Sequence, residues 1–460
     1  MISPSTRNVT FAERPRAKRG TYFIQTWGCQ MNEEDSEQMA LYLEGIGFSK
    51  ADSILEAQVI LLNTCSVRRK PEDKAFSMLG ELEPLRWIKP DVIIGVCGCM
   101  AQVRADEIKR RAPHVNFVLG TGDLGQLPAL VEEAAQNQKF QKRIELPERK
   151  GNIVEDVPQR HLGRASKIKS FVPIQYGCDK FCTFCIVPAT RGRERSRPSV
   201  DIVQEVESLV QGGTREITLL GQTVNSYGKN LLEGRVPFSQ LLQRLSEIPG
   251  LQRIRYTSPY PRDFREDLIE TIRDCPKVME HCHLPAQSGD DEMLKEMHRL
   301  YTVESYLEIV SKLRNAIPGL GLTTDIIVGF PGETEVQFEN TLKLIDHVRF
   351  DGAYMFAYSI RPGTPAGDRK DQIPDKVKKQ RLARLIELQN RITCEINESY
   401  VGRTLEVLVE GVSTKNPEML QGYSREFKMV HFPGSPDRAG RLAQVHVTAG
   451  KQWGLSGQLI

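Results

Sequence analysis

No apolar run among the 460 residues approaches the length of a membrane-spanning helix. The first residues carry Arg7, Arg14, Arg16, Lys18 and Arg19 but no apolar segment of a secretory signal, so residues 1–19 are expected to form a disordered basic tail. Charge of one sign is scarce as well: the formal net charge is +3, too small by itself to argue a nucleic-acid partner. Without an export signal a disulfide framework is disfavoured, and ten cysteines in a reducing compartment point to metal or cluster ligation. With 40% hydrophobic and 26% charged residues the composition is that of an ordinary soluble protein, expected in the cytoplasm with no membrane partner. Its length suits about three domains.

The cysteines cluster. Cys178-Asp179-Lys180-Phe181-Cys182-Thr183-Phe184-Cys185 holds three of them, spaced three and then two residues apart. Iron–sulfur cubanes are held by thiolates, normally four. Three on one loop hold three corners and leave one iron open to a substrate or cofactor. A closed zinc site wants a fourth Cys or His, and no His lies in the loop; the next downstream is His281.

Residues 20–136 alternate short apolar runs with helical patterns. Tyr22–Gln25, Val59–Leu62 and Val92–Val96 read as strands, followed by helices near Glu34–Leu43, Glu72–Glu81 and Gln102–Arg111. That alternation predicts an open parallel sheet of the α/β class. Cys29, Cys65, and the pair Cys97 and Cys99 each lie just past one strand. Ligands bind at the carboxyl ends of such strands, so these cysteines are expected to meet there and form a second cluster site. Packing alone explains one cysteine at such a place, not one after each of three strands.

Residues 137–163 shift to a basic, Pro- and Gly-punctuated composition and read as a surface linker that could touch a phosphate backbone or simply be solvated. Residues 164–396 contain six strands, Phe171–Gln175, Glu216–Leu220, Arg253–Tyr256, Glu280–Leu284, Leu322–Val328 and Gly352–Tyr358, with helical patterns between them. A parallel barrel or part-barrel is expected, with its functional loops at the strand carboxyl ends. Arg191, Arg193, Arg195 and Arg197 alternate after the cysteine loop, as an RNA contact or a solvated face. Gln222 and Asn225 follow the second strand and can touch a cofactor or substrate. His283 reads as a general base or as a hydrogen-bonded barrel histidine. Gly329 and Gly332 permit close approach to a cofactor, or mark a strand-to-helix elbow. Lys376–Val401 is a long amphipathic helix, and residues 397–460 alternate as the strands of a small, OB-like β-barrel.

The Cys178–Cys185 spacing, with the aromatic Phe184 before the last cysteine, resembles the radical S-adenosylmethionine enzymes. The resemblance implies a partial (β/α)6 barrel with the cluster loop after its first strand. In that family the open iron chelates adenosylmethionine, whose reductive cleavage yields a radical that abstracts hydrogen from an unactivated position. Thr26-Trp27-Gly28-Cys29-Gln30-Met31-Asn32, Asn63-Thr64-Cys65-Ser66-Val67-Arg68 and Gly98-Cys99-Met100-Ala101-Gln102 resemble the amino-terminal motifs of the methylthiotransferase branch. The resemblance implies an auxiliary 4Fe-4S cluster on Cys29, Cys65 and Cys99, leaving Cys97 structural, and a radical 4Fe-4S cluster with adenosylmethionine at Cys178, Cys182 and Cys185. It implies cofactor contacts at Phe184, Gln222, Asn225, Gly329 and Gly332. Residues 397–460 resemble the TRAM module, which implies RNA-binding candidates Tyr423, Phe427, Phe432, Arg425, Lys428 and Arg441 beside Arg191 and Arg193.

Gly-Cys-Gln-Met-Asn resembles the MiaB type, which implies methylthiolation at C2 of N6-isopentenyladenosine at position 37 of tRNA. The implied partners are the anticodon stem-loop and an electron donor such as flavodoxin or ferredoxin, with the chain acting as a monomer. Sister branches act on threonylcarbamoyladenosine or on a ribosomal-protein aspartate. A non-catalytic iron–sulfur RNA-binding redox sensor is the alternative of another class.

Overall fold

Val59–Thr64 is buried at every position, which a strand tolerates only when both faces of its sheet are covered. In the computed structural model, which describes residues 8–9, 19–66, 69–137, 139–146, 160–161, 167–231 and 234–460, that strand is central. The strands are β1 (Gly20–Trp27), β2 (Phe48–Lys50), β3 (Val59–Thr64), β4 (Ile93–Cys97), β5 (Phe117–Leu119) and β6 (Gln141–Arg143). They form one parallel sheet in the order β2-β1-β3-β4-β5-β6. Alternate side chains explain the layers. Val59 and Leu61 pack with Met39, Leu43 and Leu130 on one face, while Ile60 and Leu62 pack with Leu79, Ala105 and Ile108 on the other. The covering helices are α1 (Gln30–Gly45), α2 (Arg69–Ile88), α3 (Cys99–Arg111) and α4 (Leu127–Gln136). The strand order reverses between β1 and β3, where such a sheet opens a crevice beyond its carboxyl ends.

The sheet extends beyond the apolar strands visible in the sequence. Gln141–Arg143 lies in the expected linker yet pairs in parallel with Phe117–Leu119 as the edge strand. Most of the expected tail and linker, and Val67-Arg68 of the second motif, fall outside the described residues.

A second parallel array follows: β7 (Lys169–Pro173), β8 (Glu216–Leu220), β9 (Arg253–Tyr256), β10 (His281–His283), β11 (Gly321–Val328) and β12 (Gly352–Ala357). They pair consecutively in two sets of three, joined by a bridge between Ile254 and Val278. Ile217, Leu219, Ile254, Cys282 and Leu322 face the surrounding helices. The alternate positions, Arg253, Arg255, Glu216, His281, His283 and Thr323, give this half-barrel a polar lumen.

Five further strands close a small barrel, β13 (Thr404–Val412), β14 (Met419–Ser424), β15 (Met429–Pro433), β16 (Leu442–Lys451) and β17 (Gly454–Leu459), in the order β13-β14-β15-β17-β16. Its β14–β15 turn enters the polar lumen. Arg253 donates to the carbonyls of Tyr423 (2.7 Å) and Glu406 (3.0 Å), and Arg255 to those of Ser424 (2.6 Å) and Arg425 (3.1 Å). The helix Asp375–Glu398 packs into the half-barrel core through Leu385 and Ile392 and touches both that core and the small-barrel core through Ile396. No helix among the described residues is long and apolar enough to cross a membrane.

One ion cluster fastens the first unit to the second. Arg160 pairs with Glu34 on α1 and with Glu205 on the helix Ser199–Gln211 (3.1 Å), all three buried, and also donates to the Tyr176 hydroxyl at 3.0 Å. Breaking a buried pair by removing one partner strands the other charge, at a cost of about 3–5 kcal/mol. Arg160→Met is therefore expected to lower unfolding free energy by about that amount in urea titrations followed by circular dichroism. The same change at the exposed Arg110 should stay within about 0.5 kcal/mol.

Candidate active site

The three amino-terminal motifs converge because their asparagines hold one another. Asn32 Nδ2 donates to Asn63 Oδ1 at 3.2 Å, and Asn63 Nδ2 donates to the Asn32 carbonyl and to Ser36 Oγ, each at 2.8 Å. That clamp ties the loop after β1 to the loop after β3. The third loop closes on it at Gly98, whose φ of +87° suits glycine and where a Cβ would sit 2.2 Å from Asn63 Oδ1. Cys29 thus caps α1, Cys65 follows β3, and Cys99 opens α3. Two of the three sulfurs stand at helix amino termini, where backbone amides favour negative charge.

The second triad is delivered by β7 and its continuation. Gly177 turns with φ +70°, and a Cβ there would strike the Arg193 carbonyl at 2.2 Å. Cys178 N then donates to Gly192 O at 3.2 Å, and Cys185 N to Cys182 O at 3.0 Å. Thr183 fastens the loop from outside, its Oγ1 donating to Glu296 O at 2.7 Å.

All six cysteines line a single cavity of about 560 Å³ at the meeting of the two strand-end faces. Cys97 does not; it is buried in the sheet core, and burial raises its thiol pKa well above the usual range. The two triads differ electrically. Cys29 is pulled down to about 5, first by its hydrogen bond with Cys65 and then by the Arg191 charge and the Asn32 and Met31 amides, against the opposing effect of burial. Burial pushes Cys178 and Cys185 up to about 12.

Among the described residues no three Cys, His, Asp or Glu side chains converge on a point where one metal ion could sit. A zinc ion needs every sulfur about 2.3 Å from a common centre. A cubane gives each thiolate its own iron and tolerates wider spacing. Three cysteines without a fourth ligand fit that group better than they fit zinc.

Several residues singled out in the sequence are placed elsewhere. Phe184 and Gln222 line the cavity, whereas Asn225 does not. Its amide clamps Tyr260, donating to the carbonyl at 2.9 Å and accepting from the amide at 2.7 Å. Gly329 N donates to Glu333 at 2.6 Å and Gly332 N to Asp371 O at 3.0 Å; Glu333 in turn pairs with Arg381 of the helix Asp375–Glu398. That turn is an elbow packed against this helix and lies away from the cavity.

Three of the four alternating arginines are buried and do not form a solvated face, while Arg193 stays partly exposed. Arg191 is buried against Asp35 (2.7 Å), Arg197 is buried and pairs with Glu205 (2.7 Å), Arg195 is buried, and Arg193 pairs with Asp179 (2.5 Å). In the carboxyl-terminal barrel Lys428 is buried on Asp351 (2.7 Å) and Asn397 (3.0 Å), and Arg425 is forked onto Glu280 (2.7 Å from both Nε and Nη2). Phe432 is in the core. Among the charged RNA candidates Arg441 remains exposed.

Phe427 and the two histidines named from the sequence, together with Arg299, which escaped that reading, complete the cavity. Phe427, at φ +68°, stacks on His281 (4.6 Å, 23°) and on Tyr423 (4.5 Å, 11°), so the turn of the small barrel forms a wall of the cavity. Burial first, then the Arg255 charge, holds His281 neutral, well below its usual pKa. His283 Nδ1 shares Thr323 Oγ1 (3.0 Å) with His281, and its Nε2 lies 3.5 Å from Asp325. Arg299 reaches the Cys182 sulfur at 3.3 Å. A single arginine carries no periodicity that would have marked it.

Residues 172–345 match the family described as the Radical SAM superfamily, residues 21–120 the "Uncharacterized protein family UPF0004", and residues 398–460 the TRAM domain. Two proteins named tRNA-2-methylthio-N(6)-dimethylallyladenosine synthase are close in sequence. That of Moorella thermoacetica is 49% identical over 444 residues, 96% of this chain and 99% of the relative. That of Carboxydothermus hydrogenoformans is 47% identical over 442 residues, 96% and 99% of the respective chains. A solved radical S-adenosylmethionine methyltransferase, TsrM from Kitasatospora setae, with cobalamin and a 4Fe-4S cluster, shares the fold. Its TM-score is 0.54 at 13% identity, covering 87% of this chain and 78% of that one.

The contrast in thiol environment has a direct consequence for metal-free protein. Thiolate is the reactive form, and it predominates above a group's pKa. At pH 7 iodoacetamide is expected to alkylate Cys29, with labelling falling away below about pH 5, and to leave Cys178 and Cys185 unmodified until near pH 12. Peptide mass spectrometry reads the sites; equal labelling of all three at pH 7 would contradict the assignment.

Proposed function

This chain belongs to the tRNA-2-methylthio-N(6)-dimethylallyladenosine synthase family of radical S-adenosylmethionine methylthiotransferases, and from that premise we propose how its residues divide the work. The substrate is the anticodon stem-loop of a tRNA carrying N6-isopentenyladenosine at position 37, and the product bears a methylthio group at C2. The observation that carries the reading is the single cavity shared by the two cysteine triads. A sulfur donor and a hydrogen-abstracting centre must reach the same carbon, and two separate cavities would forbid it.

Cys29, Cys65 and Cys99 would hold an auxiliary 4Fe-4S cluster, and Cys178, Cys182 and Cys185 the cluster that takes adenosylmethionine. When bound, these groups supply the radical chemistry and the sulfur. The chain's own side chains orient and enclose. Gln222 Oε1 faces the cavity buried and without a hydrogen-bond partner, and offers an acceptor to an adenosylmethionine or adenine N–H. The Phe427–His281 stack closes one wall of the cavity, and a neutral His281 adds no charge to repel the sulfonium of adenosylmethionine. Tyr260, fixed by Asn225, and Phe184 supply apolar wall around the loop and keep water from a reactive intermediate. Electrons arrive from a donor such as flavodoxin or ferredoxin, and the chain acts as a monomer.

Anaerobically reconstituted protein is expected to hold two clusters, about eight irons and eight sulfides. The triple change of Cys29, Cys65 and Cys99 to Ala should halve that content and abolish methylthiolated product, yet keep formation of 5′-deoxyadenosine. The triple change of Cys178, Cys182 and Cys185 should halve it too and abolish both products. A redox sensor without turnover would yield neither product in any form. Threonylcarbamoylated tRNA and ribosomal protein, supplied in parallel, should remain unmodified.

A further inference from the structure

Arg299 is a buried cation without a carboxylate. It is 9% exposed, and among the described residues no Asp or Glu pairs with it. Its guanidinium donates to the Tyr301 hydroxyl (3.0 Å), the Pro285 carbonyl (3.4 Å) and the Cys182 sulfur (3.3 Å), and lies 4.6 Å from the Tyr260 ring centroid and 5.1 Å from that of Tyr301. Hydroxyl, carbonyl and ring faces solvate a guanidinium, but none of them neutralises it. A buried charge left uncompensated costs several kcal/mol, and the one anionic group its donors reach is the Cys182 thiolate of a loaded triad.

Arg191 stands in the corresponding place beside the other triad, with its charge bearing on Cys29 and Cys99, but it is already neutralised by Asp35 at 2.7 Å. The two triads therefore sit in different fields: Arg191 beside the first is compensated by Asp35, and Arg361, near Cys65, lies close to Glu72, whereas Arg299 on Cys182 has no carboxylate partner among the described residues. Three thiolates outweigh the positive charge of an oxidised iron–sulfide core, and reduction deepens that excess. A fixed cation hydrogen-bonded to a ligand sulfur favours the reduced form and raises the potential.

We propose that Arg299 is a positioning residue for the Cys178–Cys182–Cys185 cluster, serving as its countercharge and making it easier to reduce than it would otherwise be. This rests on the cluster reading given above. The step it governs is the arrival of one electron from a low-potential donor; no bond forms or breaks, and the donor leaves oxidised by one electron.

The test is a redox titration by EPR, with dithionite as reductant and no adenosylmethionine present. It uses full-length protein in which Cys29, Cys65 and Cys99 are Ala, so that one cluster is observed. Arg299→Met is expected to make the cluster at least tenfold harder to reduce, about 59 mV for a one-electron couple. Arg299→Lys, which keeps the charge, should fall between that variant and the parent, and it carries the test if Arg299→Met does not retain iron. In a second background, with Cys178, Cys182 and Cys185 changed to Ala, the double change Arg191→Met with Asp35→Asn removes a neutral pair and should shift the remaining cluster less. Full iron content with an unchanged potential in Arg299→Lys and Arg299→Met overturns the role of Arg299 alone. Weakened adenosylmethionine binding with an unchanged potential overturns it too, as it would make Arg299 a ligand contact. Absence of a cluster in the parent overturns this role together with the cluster reading.

Discussion

Glu34 and Asp35, neighbours on α1, are each gripped by an arginine from outside their own sheet: Glu34 by Arg160, and Asp35 by Arg191 of the helix Val187–Arg191. The same helix begins at Cys29. Four buried charges therefore fix α1, whose N-cap is Cys29, against the elements that flank the other triad. Ion pairs at this depth add little net stability, because desolvation consumes most of their attraction, but they punish misalignment heavily. Such a contact suits a place where two units must meet in one register, and the shared cavity exists only in that register.

The lumen of the half-barrel makes a second demand. Barrel interiors of this kind are normally packed by apolar layers, whereas here Arg253, Arg255, Glu216 and two histidines point inward. The small barrel satisfies the two arginines, which donate to the carbonyls of Glu406 on β13 and of Tyr423, Ser424 and Arg425 where β14 ends and the β14–β15 turn begins. A module expected to hold RNA thus also supplies a wall of the cavity through Phe427. The small barrel and the half-barrel are thus in direct contact at the wall of the cavity.

Much of this arrangement was legible in the residues. A cysteine after each of several apolar runs is a local pattern, and parallel-sheet topology carries such residues to one edge whatever the intervening chain. A parallel barrel or part-barrel and a small closing barrel followed from the count and alternation of strands, and the partial form of the first from the family resemblance. Charge was harder to read. Alternating arginines look the same whether they face water or buried carboxylates, and the partners of Arg191 and Arg197 lie at Asp35 and Glu205. Gln141–Arg143 has no apolar residue to mark it as a strand, because the neighbouring β5 and the sheet edge provide its pairing. The Gly329 turn combines tight φ values with an exposed-looking sequence, and only the return of the long helix shows that it faces protein.

The central claim is that two iron–sulfur centres open onto one chamber. EPR spectra of the fully reduced protein test it most directly. The account predicts magnetic interaction between the two reduced clusters, seen as broadening and faster relaxation that vanish when either triad is replaced. A doubly reduced spectrum equal to the sum of the two singly loaded forms would contradict it.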